Sequence, residues 1–291
     1  MNIRETLKYG FNKIKKNSKD EYCMPELDAQ LLLMEILKKD KMYMLIHDDE
    51  EVIDTDFKLY EEYLQKRISG VPLQYIIKKQ EFMGFDFFVD KGVLIPRNDT
   101  EILVEEICEL AKNCFKNKKK IKIFEIGTGS GAISLSLAKL ISNSDVLTID
   151  VSLDAINIAK KNVEKMNLKN VTIMHKDVFD NIDDIIKLGP FDIIVSNPPY
   201  IESEVIEGLQ KEVKENEPML ALDGGKDGLI FYRRIADITP DLLALDGFLA
   251  VEIGHNQGDA VKNLFLQAYE NFEEVKIIKD LSSLDRVVIG K

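Results

Sequence analysis

The chain has 291 residues, which exceeds one typical domain and favours one large domain accompanied by a smaller one. Hydrophobic residues make up 45% of the sequence and charged residues 31%, a balance typical of a protein that buries a sizeable core. The formal net charge of −12, from 51 acidic and 39 basic residues, weighs against a large phosphate-binding surface and so against a nucleic-acid substrate.

The cysteines, histidines and apolar runs argue against a disulfide-stabilised protein, a metal-binding protein and a membrane or secreted protein. The cysteines, Cys23, Cys108 and Cys114, contain no C-x-x-C pair and are too few for a disulfide framework. The three histidines show no metal-binding spacing, so the sequence predicts no metal site. No run approaches the ~18 apolar residues of a membrane span, and the first residues contain no signal-peptide core. We therefore expect a cytoplasmic protein that has no membrane partner and is a monomer by default.

Residues 1–80 have the apolar periodicity of helices. In the stretch 25–40, apolar side chains recur at helical spacing after Pro25, which suits a first helical turn. The stretch 54–70 repeats this pattern and ends at Gly70, a common stop signal. The sequence therefore predicts a small helical domain at the N-terminus.

Residues 81–97 contain two short apolar stretches that are separated by Asp90-Lys91-Gly92. Two apolar stretches around such a turn signal are typical of a β-hairpin. The sequence predicts a hairpin that links the helical domain to the rest of the chain.

From residue 98 onward, strand and helix patterns alternate. Asn98 and Glu101 have the spacing of a capping box at the start of a helix. Apolar strand segments follow at 121–127, 145–150, 171–175, 191–196 and 247–254, and two short strands end the chain. This alternation predicts a parallel, doubly wound α/β sheet whose strand C-terminal ends meet at one edge.

The segment FEIGTGSGA joins a predicted strand to a predicted helix. Gly127 and Gly129 permit a tight turn with close backbone approach, and Gly131 lets the helix lie near the sheet. Asp150 ends the next strand, where a carboxylate can accept hydrogen bonds from both ribose hydroxyls. Asp177, at the end of the third strand, could accept from an adenine amino group or cap the following turn. The pattern predicts a nucleoside cofactor, either NAD or S-adenosylmethionine.

A second unusual segment, the NPPY segment (197–200), follows the fourth predicted strand. That strand should lie beside the first, so Asn197 should emerge next to the glycine loop. Two prolines stiffen the turn and leave two fixed acceptors, the Asn197 side-chain oxygen and the Pro198 carbonyl. Tyr200 offers a ring face for stacking. The segment therefore predicts a clamp for a planar NH2 group.

Such a clamp suits methyl transfer. Holding both hydrogens of an NH2 group turns the nitrogen lone pair toward an electrophile and draws off positive charge as the new bond forms. The S-methyl group of a sulfonium is an electrophile of this kind. An NAD-dependent dehydrogenase would leave the NPPY segment unexplained, and a protein that only binds a cofactor has no use for two fixed acceptors.

The glycine loop and the NPPY segment together resemble those of S-adenosylmethionine-dependent methyltransferases that act on planar amino nitrogens. The segments PLQYII, VLIPRNDTEILVE, IVSNPPYI, EPMLALDGGKDGLIFYRRI and VEIGHNQG narrow this resemblance to the HemK/PrmC family of peptide chain release factor glutamine methyltransferases. The resemblance covers about residues 70–290, whereas the N-terminal part is similar only in its helical character.

This resemblance implies a helical substrate-recognition domain (1–80), a hairpin linker (81–97) and a Rossmann-like, seven-stranded methyltransferase domain (98–291). It implies methyl transfer from S-adenosyl-L-methionine to the side-chain amide of the glutamine in the Gly-Gly-Gln motif of class I peptide chain release factors. The product would be S-adenosyl-L-homocysteine. An amino-methyltransferase that acts on adenine or another planar NH2 group in nucleic acid is the alternative, because the clamp chemistry would be the same.

Site residues follow from the resemblance by position. Asn197, Pro198 and Tyr200 are implied as catalytic, and the same residues with Pro199 as substrate-binding. The cofactor-binding residues that it implies are Gly127, Thr128, Gly129, Ser130, Gly131, Asp150, Asp177, Val178 and Asn197.

Two places depart from the family pattern. Asn98 and Asp99 stand where family members usually have proline and glutamate. Val178 stands where an aromatic residue is common, which would weaken stacking on adenine. The acidic segment 201–227, with Gly224-Gly225 as a bend, is expected to form a mobile cover over the target.

Overall fold

The computed structural model describes residues 1–18 and 23–291, which form two compact units. One unit holds Met1–Lys79 with Leu209–Glu217, and the other holds Gln80–Gly208 with Pro218–Lys291. The stretch Leu209–Glu217 thus groups with the helical unit, although the sequence prediction counted it within 98–291. In the described ranges, no helix is both long and apolar enough to cross a membrane.

The first unit consists of helices around one apolar core. The helices are α1 (Ile3–Asn17), α2 (Pro25–Leu37), α3 (Lys41–Ile46), α4 (Asp54–Ile68), α5 (Leu73–Ile77) and α10 (Lys211–Asn216). A capping box begins α1, because Asn2 Oδ1 accepts from the Glu5 amide at 2.8 Å while the Glu5 side chain accepts from the Asn2 amide. Leu32, Tyr60 and Leu64 are fully buried between α1, α2 and α4.

Polar contacts hold α10 within the helical unit. Arg67 on α4 is buried, and its guanidinium pairs with Asp28 of α2 at 2.7 Å and with Glu212 of α10 at 2.9 Å. Asn216 Nδ2 donates to the Gly70 carbonyl at 3.0 Å. A buried guanidinium needs such partners, since an unpaired buried charge is costly. Part of the segment 201–227 is therefore anchored to the helices of this unit.

The hairpin forms, but its turn lies earlier than predicted. Strands β1 (Gln80–Phe82) and β2 (Phe85–Phe87) pair antiparallel through a two-residue turn. Met83 and Gly84 have φ angles of 53° and 76°, the left-handed geometry that two-residue hairpins favour. A turn does form at 90–93, where the Val93 amide donates to the Asp90 carbonyl at 3.4 Å, but it is not the hairpin turn. The prediction that it joins the two strands was wrong because residues 93–97 form no strand.

The second unit contains the predicted doubly wound sheet. Its strands are β3 (Ile121–Ile126), β4 (Ser144–Asp150), β5 (Val171–His175), β6 (Phe191–Ser196), β7 (Leu243–Glu252), β8 (Val275–Lys279) and β9 (Asp285–Gly290). The strand order is β5-β4-β3-β6-β7-β9-β8, and β9 runs antiparallel to both of its neighbours. Strands β3 and β6 pair in parallel, which confirms that the NPPY segment follows the neighbour of the first strand.

Helices cover both faces of this sheet. They are α6 (Glu101–Cys114), α7 (Ala132–Leu140), α8 (Leu153–Met166), α9 (Asp183–Ile186), α11 (Ile230–Leu242) and α12 (Gly258–Ala268). Apolar side chains of α6, α7 and α8 pack on one face, and those of α9, α11 and α12 pack on the other. Short 3₁₀ helices span Asn98–Thr100, Ile206–Gly208 and Met219–Ala221.

The predicted capping box at the start of α6 does not form. Residues 98–100 make a 3₁₀ turn that runs directly into α6, and no described side chain caps that helix. Glu101 Oε1 instead accepts a hydrogen bond from the Met83 amide at 2.6 Å. This prediction was wrong because the hairpin turn, which is distant in sequence, supplies a better-placed donor.

Candidate active site

The glycine loop has the tight geometry that its sequence predicts. It connects β3 to α7, and Gly127, Gly129 and Gly131 all have positive φ angles of 87°, 53° and 83°. A side chain at Gly131 would meet Leu135 of α7 at 2.9 Å, so this glycine lets the helix pack close to the loop. At Gly127 and Gly129 the space is open, with only the Asn197 carbonyl as near as 4.0 Å. A ligand can therefore approach the backbone at these two positions.

Asp150 ends β4 and connects the glycine loop to the loop that follows β4. Its two carboxylate oxygens accept from the Gly129 and Ser152 amides, each at 2.8 Å. Burial raises the pKa of Asp150, and these backbone hydrogen bonds oppose the rise. Each carboxylate oxygen has a second lone pair, so Asp150 can still accept from ligand hydroxyls.

A cavity of about 280 Å³ opens at the C-terminal edge of β3, β4 and β6. It is much larger than a water site, and open α/β sheets bind ligands at this position. Most of the predicted site residues line it: Gly127, Thr128, Gly129, Ser130, Asp150, Asp177, Val178, Asn197, Pro198 and Pro199. Gly131 and Tyr200 lie outside the lining.

The third strand contributes a turn with an aromatic ring. Asp177 Oδ1 accepts from the Phe179 amide at 2.9 Å, so the turn-capping role is present while Asp177 also lines the cavity. Val178 is 6% exposed, and its carbonyl accepts from Arg234. Phe179 is 44% exposed, and its ring meets that of Phe231 at 5.2 Å in an edge-to-face arrangement. Both rings line the cavity, so an aromatic surface exists one residue beyond Val178.

The NPPY segment begins directly beside the glycine loop. Ser196 Oγ donates to the Ile126 carbonyl at 2.7 Å, which ties the ends of β6 and β3 together. Asn197 Nδ2 donates to Thr100 Oγ1 at 3.2 Å. The oxygen and nitrogen of an amide lie on different sides of the side chain, so Asn197 Oδ1 is not engaged by Thr100.

Tyr200 packs against the core and approaches a buried carboxyl group. Its hydroxyl lies 3.4 Å from Glu252 Oε1, a long contact for an O–H···O hydrogen bond. Burial raises the pKa of Tyr200, and the nearby Glu252 charge adds to the rise. The role of the Tyr200 ring as a stacking face therefore stays a prediction, since the structure places that ring on the core cluster.

Glu252, at the end of β7, is only 2% exposed. Burial raises its pKa to about 7, while a hydrogen bond from the Thr100 side chain, the Arg286 charge and the Tyr200 hydroxyl oppose this rise. Its second oxygen, Oε2, has no hydrogen-bond partner of good geometry within residues 1–18 and 23–291. A buried acidic group thus lies behind both Asn197 and Tyr200.

A second buried carboxyl group lies under the glycine loop. Glu125 on β3 accepts from Thr148 Oγ1 at 2.5 Å and lines the cavity. Burial raises its pKa to about 7, and hydrogen bonds from Thr148 and Ser134 oppose the rise. Glu125, Asp150 and Asp177 together give this end of the cavity an acidic character.

Sequence reasoning did not identify several of these residues. Thr100, Glu125, Phe179, Phe231 and Glu252 were all outside the predicted site. A charged residue inside an apolar strand, as in IKIFEI and FLAVE, was the available signal, because such residues are rarely buried without a role. Thr100 and Phe231 gave no comparable local signal.

The cavity fits S-adenosylmethionine better than NAD. Its lining has three acidic residues (Glu125, Asp150 and Asp177) and two basic ones (Arg97 and Lys176), and this balance suits the positive sulfonium and amino groups of S-adenosylmethionine better than a pyrophosphate. Asp150 can accept from ribose hydroxyls, and the Phe179 and Phe231 rings offer an apolar surface for adenine. The fold and the cavity define an S-adenosylmethionine-dependent methyltransferase.

Comparisons with known proteins identify the family. A model of the PrmC N-terminal domain matches residues 5–77, and a model of the methyltransferase small domain matches residues 100–225. Over 291 residues the chain is 41% identical to the release factor glutamine methyltransferase of Clostridium acetobutylicum, covering 100% of this chain and 98% of that protein. Its identity to the same enzyme of Bacillus cereus is 37%, covering 100% and 99%. The chain belongs to the release factor glutamine methyltransferase family, which confirms the predicted resemblance.

Solved structures also share the fold. The catalytic domain of hMettl16, crystallised with the MAT2A 3′UTR hairpin 6, aligns with a TM-score of 0.53. It is 16% identical to this chain, and the alignment covers 82% of each chain. At this identity the similarity describes the methyltransferase fold and nothing about the substrate.

Proposed function

We propose that this enzyme transfers a methyl group from S-adenosyl-L-methionine to the side-chain amide nitrogen of a glutamine in class I peptide chain release factors, and that this glutamine is the one in the Gly-Gly-Gln motif. The names of the full-length relatives support the release-factor substrate. The observation that carries the proposal is the arrangement of Asn197, whose Nδ2 is held by Thr100 at the wall of the cavity.

An amide target matches this wall. With Nδ2 occupied, Asn197 Oδ1 is the atom left to accept a hydrogen from a target NH2 group. The carbonyl of Pro198, a residue that also lines the cavity, is a second acceptor in a segment stiffened by two prolines. Two fixed acceptors orient an NH2 group and stabilise the positive charge that develops on its nitrogen.

The methyl group has to come from the bound cofactor, which supplies an electrophilic carbon on sulfur. The residues of this chain would hold the amide so that its lone pair faces that carbon. As the new N–C bond forms, the bond between that carbon and sulfur would break and leave the neutral thioether of S-adenosyl-L-homocysteine. The amide nitrogen would lose one proton to solvent, and this proton becomes acidic only during the transfer. No strong base is needed for that loss, so orientation is the main task of the NPPY segment.

The basic run 116–120 gives little support to a nucleic-acid substrate. Lys118 pairs with Asp192, and Lys120 pairs with Asp145 at 2.7 Å. These lysines are thus partly neutralised by neighbouring carboxylates rather than collected into a free cationic surface.

Mass spectrometry of a methylated release factor tests the proposal. The enzyme is incubated with a class I release factor and S-adenosylmethionine that carries a labelled methyl group, and the factor is digested and sequenced by fragmentation. We expect one added methyl group on the glutamine of the Gly-Gly-Gln motif. A factor in which that glutamine is replaced by asparagine is the matched control and should remain unlabelled. Transfer to adenine in RNA or DNA, with none to the factor, would instead support the nucleic-acid alternative.

A further inference from the structure

A buried carboxyl group lies next to Tyr200 of the clamp and takes no part in the methyl transfer itself. Glu252 is 2% exposed, lies at the end of β7 and is absent from the cavity lining. Burying a carboxyl group with one oxygen unpartnered costs stability, so its presence needs a reason. The groups that face it come from four other elements: Asp99 and Thr100 from the 3₁₀ turn, Tyr200 from the NPPY segment, Tyr232 from α11 and Arg286 from β9.

The direction of the hydrogen bonds around Thr100 supplies that reason. A hydroxyl group has one proton, so Thr100 can donate to only one neighbour. Asn197 Nδ2 lies 3.2 Å from Thr100 Oγ1, and the Thr100 side chain also interacts with the Glu252 carboxyl group, which can only accept when it is ionised. A Thr100 proton directed at Glu252 satisfies the carboxylate and leaves the hydroxyl oxygen to accept from Asn197.

We propose that Glu252 is a positioning residue that sets the orientation of the Asn197 amide through Thr100. The ionised carboxylate accepts a hydrogen bond from the Thr100 hydroxyl, the Thr100 oxygen then accepts from Asn197 Nδ2, and Asn197 Oδ1 is left facing the target NH2 group. The inference deepens the proposed function, on which it rests, and it concerns the same site.

Loss of the carboxylate should reverse this chain of hydrogen bonds. A glutamine at position 252 can donate its amide hydrogen to Thr100, and Thr100 then donates its own proton to Asn197. The side-chain amide of Asn197 would then rotate so that Oδ1 and Nδ2 exchange places, and its NH2 group would face the NH2 group of the target. Two donors facing each other cannot hold the substrate, although the shape of the site is unchanged.

Turnover of the variant Glu252→Gln is the first test, with labelled S-adenosylmethionine and a class I release factor as substrates. We expect kcat to fall ~10²-fold, the size of effect that removal of one oriented polar group has in other enzymes. The dissociation constant of S-adenosylmethionine, measured by calorimetry, should change by less than ~3-fold, because Glu252 is not in the cavity lining. Unchanged kcat in a folded variant would overturn the proposal.

Two substitutions of Thr100 separate the hydroxyl group from packing. Thr100→Ser keeps the hydroxyl and should keep kcat within ~5-fold, whereas the isosteric Thr100→Val should lose about as much as Glu252→Gln. Because both residues act through one hydroxyl, the double variant Thr100→Val/Glu252→Gln should be little worse than either single variant. Additive losses would show that Glu252 acts by another route and would overturn the proposal.

A pH profile gives a readout that a purely structural role would not move. The wild-type kcat should fall as the pH drops through about 7, because a protonated Glu252 has its own donor and no longer dictates the Thr100 proton. Glu252→Gln should lack this acidic limb. A wild-type enzyme that transfers no methyl group to the factor would contradict the proposed function, and the same Glu252 profile can then be measured on whichever NH2 substrate it does methylate. An identical pH profile in both proteins would contradict the role of Glu252.

Discussion

Asn197 has two polar side-chain atoms, and its neighbours engage one of them. Thr100 accepts from Nδ2 at 3.2 Å, so Oδ1 remains for a ligand in the cavity. This division matters because the side chain of an isolated asparagine can present either atom to a substrate. At the scale of single residues, specificity for an NH2 group depends on which way one amide is held.

The variant Asn197→Ala tests this residue. It removes one of two proposed acceptors, so kcat should fall by ~10²–10³-fold, while the dissociation constant of S-adenosylmethionine should rise only a few-fold. Steady-state kinetics and calorimetry measure the two effects separately. Asn113→Ala, on the exposed side of α6, is the control and should leave both unchanged. Turnover that survives Asn197→Ala would show that the NPPY segment does not hold the target.

At the scale of elements, the glycine-rich turn 224–228 packs against the NPPY segment. An added side chain at Gly228 would meet the Tyr200 carbonyl oxygen at 2.4 Å, and one at Gly224 would meet the Pro199 carbonyl oxygen at 2.9 Å. Gln257 Nε2 also donates to the Tyr200 carbonyl at 3.0 Å. The sequence suggested a bend at 224–225, but the structure adds that these glycines allow the turn to lie directly against residues 199–200.

The variant Gly228→Ala tests this contact. The φ angle of Gly228 is 69° and the space is filled, so alanine should push the Tyr200 backbone aside at a cost of roughly 1–3 kcal/mol of folding free energy. We expect a lower Tm and a kcat reduced by ~10-fold or more. Gly208→Ala is a matched control, because nothing lies within 4 Å of the added methyl group. If Gly228→Ala lowers Tm but leaves kcat unchanged, the turn supports the fold and not the clamp.

At the scale of the whole molecule, periodicity predicted the sheet but not its details. Strands β5 and β6 fall where the apolar runs place them, and β6 lies beside β3 as the doubly wound topology requires. The hairpin turn and the start of α6 differ from the prediction because contacts distant in sequence decide them, as Met83 and Glu101 show. Local patterns contain no information on such contacts.

The candidate site divides in the same way. Gly127, Asp150 and Asn197 could be proposed from sequence because each follows a strand whose neighbours are predictable. Thr100 and Glu252 could not, since they reach the clamp from a 3₁₀ turn and from another strand. Sequence patterns therefore identified residues that directly follow a strand, and they missed residues that reach the site from elsewhere in the fold, including Thr100, which also lines the cavity.

Two buried carboxyl groups make the stability of the molecule depend on pH. Burial raises the pKa of Glu125 and of Glu252 from 4.5 to about 7. Between these values the folded protein binds more protons than the unfolded chain does, so stability must fall as the pH rises through this range. Ionisation of these two groups near neutral pH therefore lowers the free energy of unfolding, which is the stability lost by keeping one carboxylate at the cavity and another next to the clamp.

The variants Glu125→Gln and Glu252→Gln should therefore become more stable relative to the wild type as the pH rises from 5 to 8. At pH 5 the folded wild type keeps both groups largely protonated, and a glutamine of the same shape should differ little. At pH 8 each carboxylate opposes folding by an upper estimate of roughly 3 kcal/mol, at 1.36 kcal/mol for each pKa unit, and the glutamine lacks this charge. Calorimetric Tm values at constant ionic strength measure the difference, with Asn113→Gln as an uncharged control that should shift Tm equally at every pH. Tm differences that stay constant from pH 5 to pH 8 would mean that neither carboxyl group titrates in this range.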